Sequence, residues 1–153
     1  MDAASRDNPH HRNLEHARAQ VIEMLTRQAV ERELVSRSES SHGAPVDVVS
    51  QLVARQQQAA LEQRLLRFHP ADIAFVLESL PPEAREMAWS LVRAERRGTV
   101  LLETTDAVRR SLVESMRPTD IAAAFHHLDS DDIAELIASL PSDTAAEVLA
   151  RLD

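Results

Sequence analysis

Carboxylates and histidines are the residues in this chain best suited to chemistry, and no activated nucleophile stands beside them. Asp131 and Glu135 are four residues apart, a spacing that puts both on one face of a helix. Like charges so placed repel, and Asp129, Asp132 and Asp143 add to the local negative charge. A hard divalent cation would offset that repulsion, and Mg²⁺ is commonly held by one or two carboxylates plus retained waters. The other reading is an ordinary solvated acidic face at a helix start, and the residues alone leave both open. The histidines offer less. His126 and His127 are adjacent, so on a helix they point about 100° apart and chelate poorly together. His10 and His11 fall in a polar stretch, and His69 precedes Pro70, a place for capping or packing. The chain has no Cys, which excludes thiolate chemistry and a disulfide framework. No nucleophile is paired with a base, so the chain is read as a non-enzyme.

The element that must position Asp131 and Glu135 is one unit of a repeat. His69-Pro70-Ala71-Asp72-Ile73-Ala74 ends at Leu80-Pro81. Arg117-Pro118-Thr119-Asp120-Ile121-Ala122 ends at Leu128-Asp129, and Asp129-Ser130-Asp131-Asp132-Ile133-Ala134 ends at Leu140-Pro141. The offsets are multiples of twelve, the length of one short helix with its turn. Pro suits the first helical position, where its missing N–H costs nothing. Asp72, Asp120 and Asp132 fall near the third, where a carboxylate meets free N–H groups and the positive end of the helix dipole. Ile73, Leu77 and Leu80, then Ile121, Phe125 and Leu128, then Ile133, Ile137 and Leu140 form apolar stripes at helical spacing. The positions of Asp131 and Glu135 are Ala71 and Phe75 in the first unit and Thr119 and Ala123 in the second. Only the third unit carries carboxylates at both.

Filling the intervals predicts helices near 70–80, 82–93, 95–104, 106–116, 118–128, 130–140 and 142–152. Helices this short are unstable alone, so each must bury its stripe against neighbours, as in an α-solenoid. Ile73, Leu77, Leu80, Ile121, Phe125, Ile133 and Leu140 are the expected core. Trp89 is read as a core anchor, and Arg93, Arg96 and Arg97 as a solvated basic cluster. Upstream, residues 1–13 are expected to form a disordered tail. A helical arm over 14–67 follows, with long helices at about 14–37 and 46–67, Asn13 capping the first, and a linker near 38–45. Leu14, Ala17, Val21, Leu25, Val30 and Leu34, and Val49, Leu52, Val53, Ala60 and Leu65, are its candidate apolar faces. Leu34-Val35-Ser36-Arg37 and Leu52-Val53-Ala54-Arg55 echo each other.

Hydrophobic residues make up 44% of the chain but aromatics only 3%, so aliphatic side chains must fill the core. The formal net charge of −8 argues against nucleic acid, whose phosphates need a basic face. No apolar run approaches the roughly 20 residues of a membrane span, so no membrane insertion of this chain is expected. The chain stops at Asp153 without a polar capping unit and is expected to be a fragment of a longer protein.

Taken together, Phe68-His69-Pro70-Ala71-Asp72-Ile73-Ala74 with Leu80-Pro81, Trp89-Ser90-Leu91-Val92, Leu101-Leu102-Glu103 with Asp106-Ala107-Val108-Arg109, and Asp131-Asp132-Ile133-Ala134-Glu135-Leu136 resemble the cytosolic N-terminal domain of the MgtE family of magnesium transporters. The likeness covers about residues 68–153, and the two preceding helices are similar to the arm of proteobacterial members. The resemblance implies a right-handed superhelix of short helices on the cytoplasmic side of the bacterial inner membrane. It implies CBS domains and a channel domain in the same parent protein, and a homodimer of the whole. It also implies a weak regulatory Mg²⁺ site, shared with the CBS domains and incomplete here, whose ligands in this domain fall on Asp131 and Glu135. Glu135 stands where the family motif more often has Asp, which lengthens its reach. The competing class is a non-catalytic interaction scaffold, resembling the middle region of the flagellar switch protein FliG or a HEAT-like array; such likeness transfers fold, not function.

Overall fold

The structure, a computed structural model, describes residues 9–42 and 48–152. Two long helices come first, α1 (Pro9–His42) and α2 (Val48–Arg67). Seven short ones follow: α3 (Pro70–Ser79), α4 (Pro82–Leu91), α5 (Ala94–Glu103), α6 (Asp106–Glu114), α7 (Pro118–Phe125), α8 (Ser130–Ala138) and α9 (Ser142–Leu152). No strand occurs among the described residues, and none of their helices is long and apolar enough to cross a membrane. The chain is all-α, as its composition and periodicity predict.

The short helices begin at residues 70, 82, 94, 106, 118, 130 and 142, so the spacing of twelve holds through every unit. Pro70, Pro82 and Pro118 open their helices, where the fixed φ is already helical. Leu80, Val92 and Thr104 leave their helices in extended conformation, and Pro81, Arg93 and Thr105 carry the chain, also extended, into the next. Two residues thus suffice to turn the chain.

These helices span 8 to 11 residues, below the length at which an isolated helix survives in water. Burial must therefore hold them. Alternate helices form a continuous row, with α3 on α5, α5 on α7 and α7 on α9, while α4 packs against both long helices. Ile73, Leu77, Leu80, Ile121, Phe125 and Leu140 are buried as predicted. Each such aliphatic or aromatic side chain contributes about 1.5–3 kcal/mol. Ile133 departs from the prediction: it is half-buried and packs at the edge of the core. On α8 the innermost position belongs to Leu136, three residues on, which turns the stripe by only about 60° from the phase read in the sequence.

The arm differs from its predicted bounds. α1 begins at Pro9 rather than at Leu14, because Pro at a first position starts a helix on its own and Asn13 is interior. It continues through His42, past the expected break at Ser38. The rest of the expected linker, and residues 1–8 of the expected tail, lie outside the described residues. Val21, Leu25, Leu61 and Leu65 are buried against the short helices. Val30, Leu34, Val49, Leu52, Val53 and Ala60 are exposed, on faces of the arm that are turned away from the core. Arg18 ties α1 to α3, with its guanidinium 4.2 Å from the centre of the Phe75 ring and Nη1 3.4 Å from Asp72 Oδ1.

A second periodic device joins the units. Arg85, Arg97 and Arg109 occupy the fourth position of α4, α5 and α6, and each reaches back to the end of the helix before. Arg85 donates to the carbonyls of Leu77 and Leu80, Arg97 to those of Trp89 and Val92, and Arg109 to those of Leu101, Leu102 and Thr104. The last carbonyls of a helix lack intrahelical donors, and a cation there also meets the negative end of the dipole. Arg96 does the same for α2, donating to Leu65, Leu66 and Phe68. The cluster at residues 93, 96 and 97, expected to be solvated, is therefore largely structural; Arg93 pairs with Glu62 across 3.6 Å.

Candidate functional site

α8 is built to leave one face open. Asp129 precedes it in extended conformation, and Asp131 and Asp132 lie in its first turn, favourable places beside the positive end of the dipole. Leu136 is fully buried, with Ile133 and Ile137 packed beside it. The opposite face presents Asp131, Ala134 and Glu135, all exposed.

The pair singled out from the sequence therefore shares an open helix face, but the two carboxylates have different surroundings. Asp131 makes no hydrogen bond or ion pair among the described residues. Glu135 Oε1 lies 3.9 Å from Arg109 Nη2. The Arg109 side chain is only 7% exposed, whereas that of Glu135 is 60% exposed. Part of the compensation that the sequence reading gave to a cation is thus supplied by a buried guanidinium on α6. Arg109 was missed as a site residue; its twelve-residue register with Arg85 and Arg97 was the signal that could have found it.

As a donor set for a metal, two carboxylates offer oxygen ligands of the kind Mg²⁺ prefers, but fewer than the six that its octahedral shell requires. No group of three or more His, Cys, Asp or Glu side chains that could hold a metal ion occurs among the described residues. The residues fit a partial site, open to solvent or to another domain.

Asp72, Asp120 and Asp132 all fall at the third helical position but diverge in tertiary role. Asp72 meets Arg18, and Asp120 meets Arg117 Nε at 3.2 Å. His69 accepts a hydrogen bond at Nδ1 from the Ala71 amide, 3.1 Å away, which is the capping role expected of it. His126 and His127 are exposed, with ring centres 5.5 Å apart and nearly perpendicular. Trp89 is 4% exposed, a core anchor as expected, with Arg97 5.4 Å from its ring. Its indole N–H is buried without a hydrogen-bond partner among the described residues.

No curated protein matches the chain. The family model described as the MgtE intracellular N domain matches residues 68–153, the span of the seven short helices and the turn that leads into them. With more than half of the sequence matched, the chain belongs to the family of MgtE intracellular N domains.

Proposed function

We propose that this chain is the Mg²⁺-sensing regulatory domain of an MgtE-like magnesium transporter, on the cytoplasmic side of the bacterial inner membrane. Asp131 and Glu135 would hold the cation in this domain, and waters and acidic groups of CBS domains in the same homodimeric parent would complete its shell. The observation that carries the reading is the open face of α8, which presents Asp131 and Glu135 together to solvent, with Asp143 and Glu147 at the same two positions of α9 adding to the acidic surface. Bound Mg²⁺ supplies positive charge between two acidic surfaces. The chain's part is to present the two carboxylates on a rigid helix, held from beneath by Leu136 and from one side by Arg109. A state in which two acidic domains approach is then favoured when the cation is abundant, and separation follows its loss, a shift a channel can read.

The test compares variants of the parent protein by limited proteolysis at the junction of the N and CBS domains. Mg²⁺ is expected to protect the junction, and Asp131→Ala with Glu135→Ala to weaken that protection. Asp132→Ala is expected to lower stability and leave the Mg²⁺ dependence in place. Undiminished protection in the double variant would return Asp131 and Glu135 to a solvated acidic face. The domain would then be better described as a helical-repeat interaction scaffold, the reading favoured by the uncovered apolar residues of the arm.

A further inference from the structure

The arginines that fasten one helix end to the next stop halfway along the short helices. Arg85, Arg97 and Arg109 hold the fourth positions of α4, α5 and α6, but that position is Ile121 in α7, Ile133 in α8 and Ala145 in α9. Among the described residues no guanidinium therefore reaches the last carbonyls of α6, α7 or α8, and Ser115 and Ser139 donate to Leu112 and Leu136 instead. The helix ends change with the loss. α3, α4 and α5 run ten residues each and leave in extended conformation. α6, α7 and α8 run nine, eight and nine and leave through the αR residues Ser115, His126 and Ser139.

Of these three helices α8 is held least. α6 and α7 each bury four side chains, whereas α8 buries Leu136 alone. α9 also buries only one, Val148, but it lies along α7 in the most extensive pairing of the fold, while α8 touches α5 narrowly. A pocket of about 210 Å³ opens at the C-terminal end of α8, lined by Val113, Met116, Ser139, Pro141 and Thr144, so atoms there lack the neighbours that a filled core would supply. Nor does α8 hold itself together. Nine residues are too few for a helix to persist alone, and none of them is basic. Glu135 lies past the first turn, where the helix dipole no longer favours it, and it meets Asp131 and Asp132 at the two spacings where like charges repel. Its cationic neighbour, Arg109, is 3.9 Å away. The flanking helices are better anchored, since Phe125 of α7 and Val148 of α9 are completely buried.

Proteins open locally in units whose free energies follow burial and contact density. We propose that α8 is such a unit by itself, undocking from α5 and unwinding while α7 and α9 stay folded, and that this opening gates the acidic face. Docked, α8 is the rigid platform that sets Asp131 and Glu135 side by side. Open, it is a loop on which they share no face. Anything that reads the two carboxylates as a pair selects the docked state, and its apparent affinity is reduced by the fraction of chains in which α8 is docked. The opening involves no cation, so it stands or falls apart from the Mg²⁺ reading.

Hydrogen exchange on the 153-residue chain without Mg²⁺ tests it. Corrected for intrinsic rates, the amides of Leu136 and Ile137 are expected to exchange at least about a hundredfold faster than those of Phe125 and Leu101, with little acceleration by low urea because the opening exposes little surface. The chain has no cysteine, so a single buried thiol gives a second measure. Leu136 and Leu112 are each 1% exposed, and both are replaced in turn by cysteine. The thiol of Leu136→Cys should react at least about a hundredfold faster than the urea-derived stability of that variant allows, and the thiol of Leu112→Cys at the rate its own stability sets. Exchange in the unaltered chain shows that the result does not come from the substitution. Equal protection of α7 and α8 overturns the proposal. So does joint opening of α8 with α7 or α9 at one free energy and one urea dependence, or a Leu136→Cys thiol that reacts only on global unfolding.

Discussion

The Arg109 guanidinium stands 3.9 Å from the Glu135 carboxylate while its Nε donates to the Leu101 carbonyl at 2.9 Å. One buried cation thus caps α5 from α6 and borders the open face of α8. The ion pair with an exposed carboxylate contributes little by itself. The carbonyls matter more, because those of Leu101, Leu102 and Thr104 all lose a charged donor when Arg109 is removed. Arg109→Met is expected to cost roughly 2–4 kcal/mol, as befits hydrogen bonds from a charged group. Arg117→Met, which loses only an exposed pair with Asp120, should cost less than about 1 kcal/mol. Urea denaturation of the two variants provides the comparison, and equal losses would remove the capping role from Arg109.

On the proposed Mg²⁺ reading, Arg109 and the cation compete for Glu135. Arg109→Gln in the parent protein should then lower the Mg²⁺ concentration needed for half-maximal protection from proteolysis by severalfold. Arg97→Gln, a variant of the same kind one unit earlier, should leave it unchanged. A rise in the required concentration for Arg109→Gln would mean that the guanidinium supports the site instead of competing for it.

Phe125 and Ile133 separate the full core from its edge. Phe125 is completely buried, and Phe125→Ala should cost about 3–5 kcal/mol. Ile133 is half-buried, and Ile133→Ala should cost roughly 1–2 kcal/mol, less than a buried isoleucine would. Thermal or chemical melts of the two variants would show whether α8 is as peripheral as its burial indicates.

Gly98 permits a close approach between α5 and α7. A Cβ there would stand 2.5 Å from the Ala124 carbonyl oxygen and 2.9 Å from Leu128 Cδ1. Leu128 can move aside, but the carbonyl belongs to the backbone of α7. Ala is the better helix former by about 1 kcal/mol, yet Gly98→Ala is expected to destabilise the chain by roughly 1–3 kcal/mol through overpacking. A melting temperature at or above that of the parent chain would show that the two helices separate freely.

The all-α class, the twelve-residue unit and the starts of the short helices were legible in the sequence because local physics sets them. Pro at a first position, Asp at a third and an aliphatic every third or fourth residue act within one turn of chain. The same locality placed Asp131 and Glu135 on a common face. Tertiary structure decided what those signals do not contain. Whether Ile133 or Leu136 points inward depends on where the neighbouring helices lie, and whether Leu34 and Leu52 are covered depends on what stands beside the arm. Arg96 looked like surface charge because its partners, the carbonyls of Leu65, Leu66 and Phe68, are about thirty residues away. Arg109 was obscured in the same way: the carboxylate it meets at Glu135 belongs to a helix two units later, and it is the packing of α8 on α5, the helix that Arg109 caps, that brings the two together.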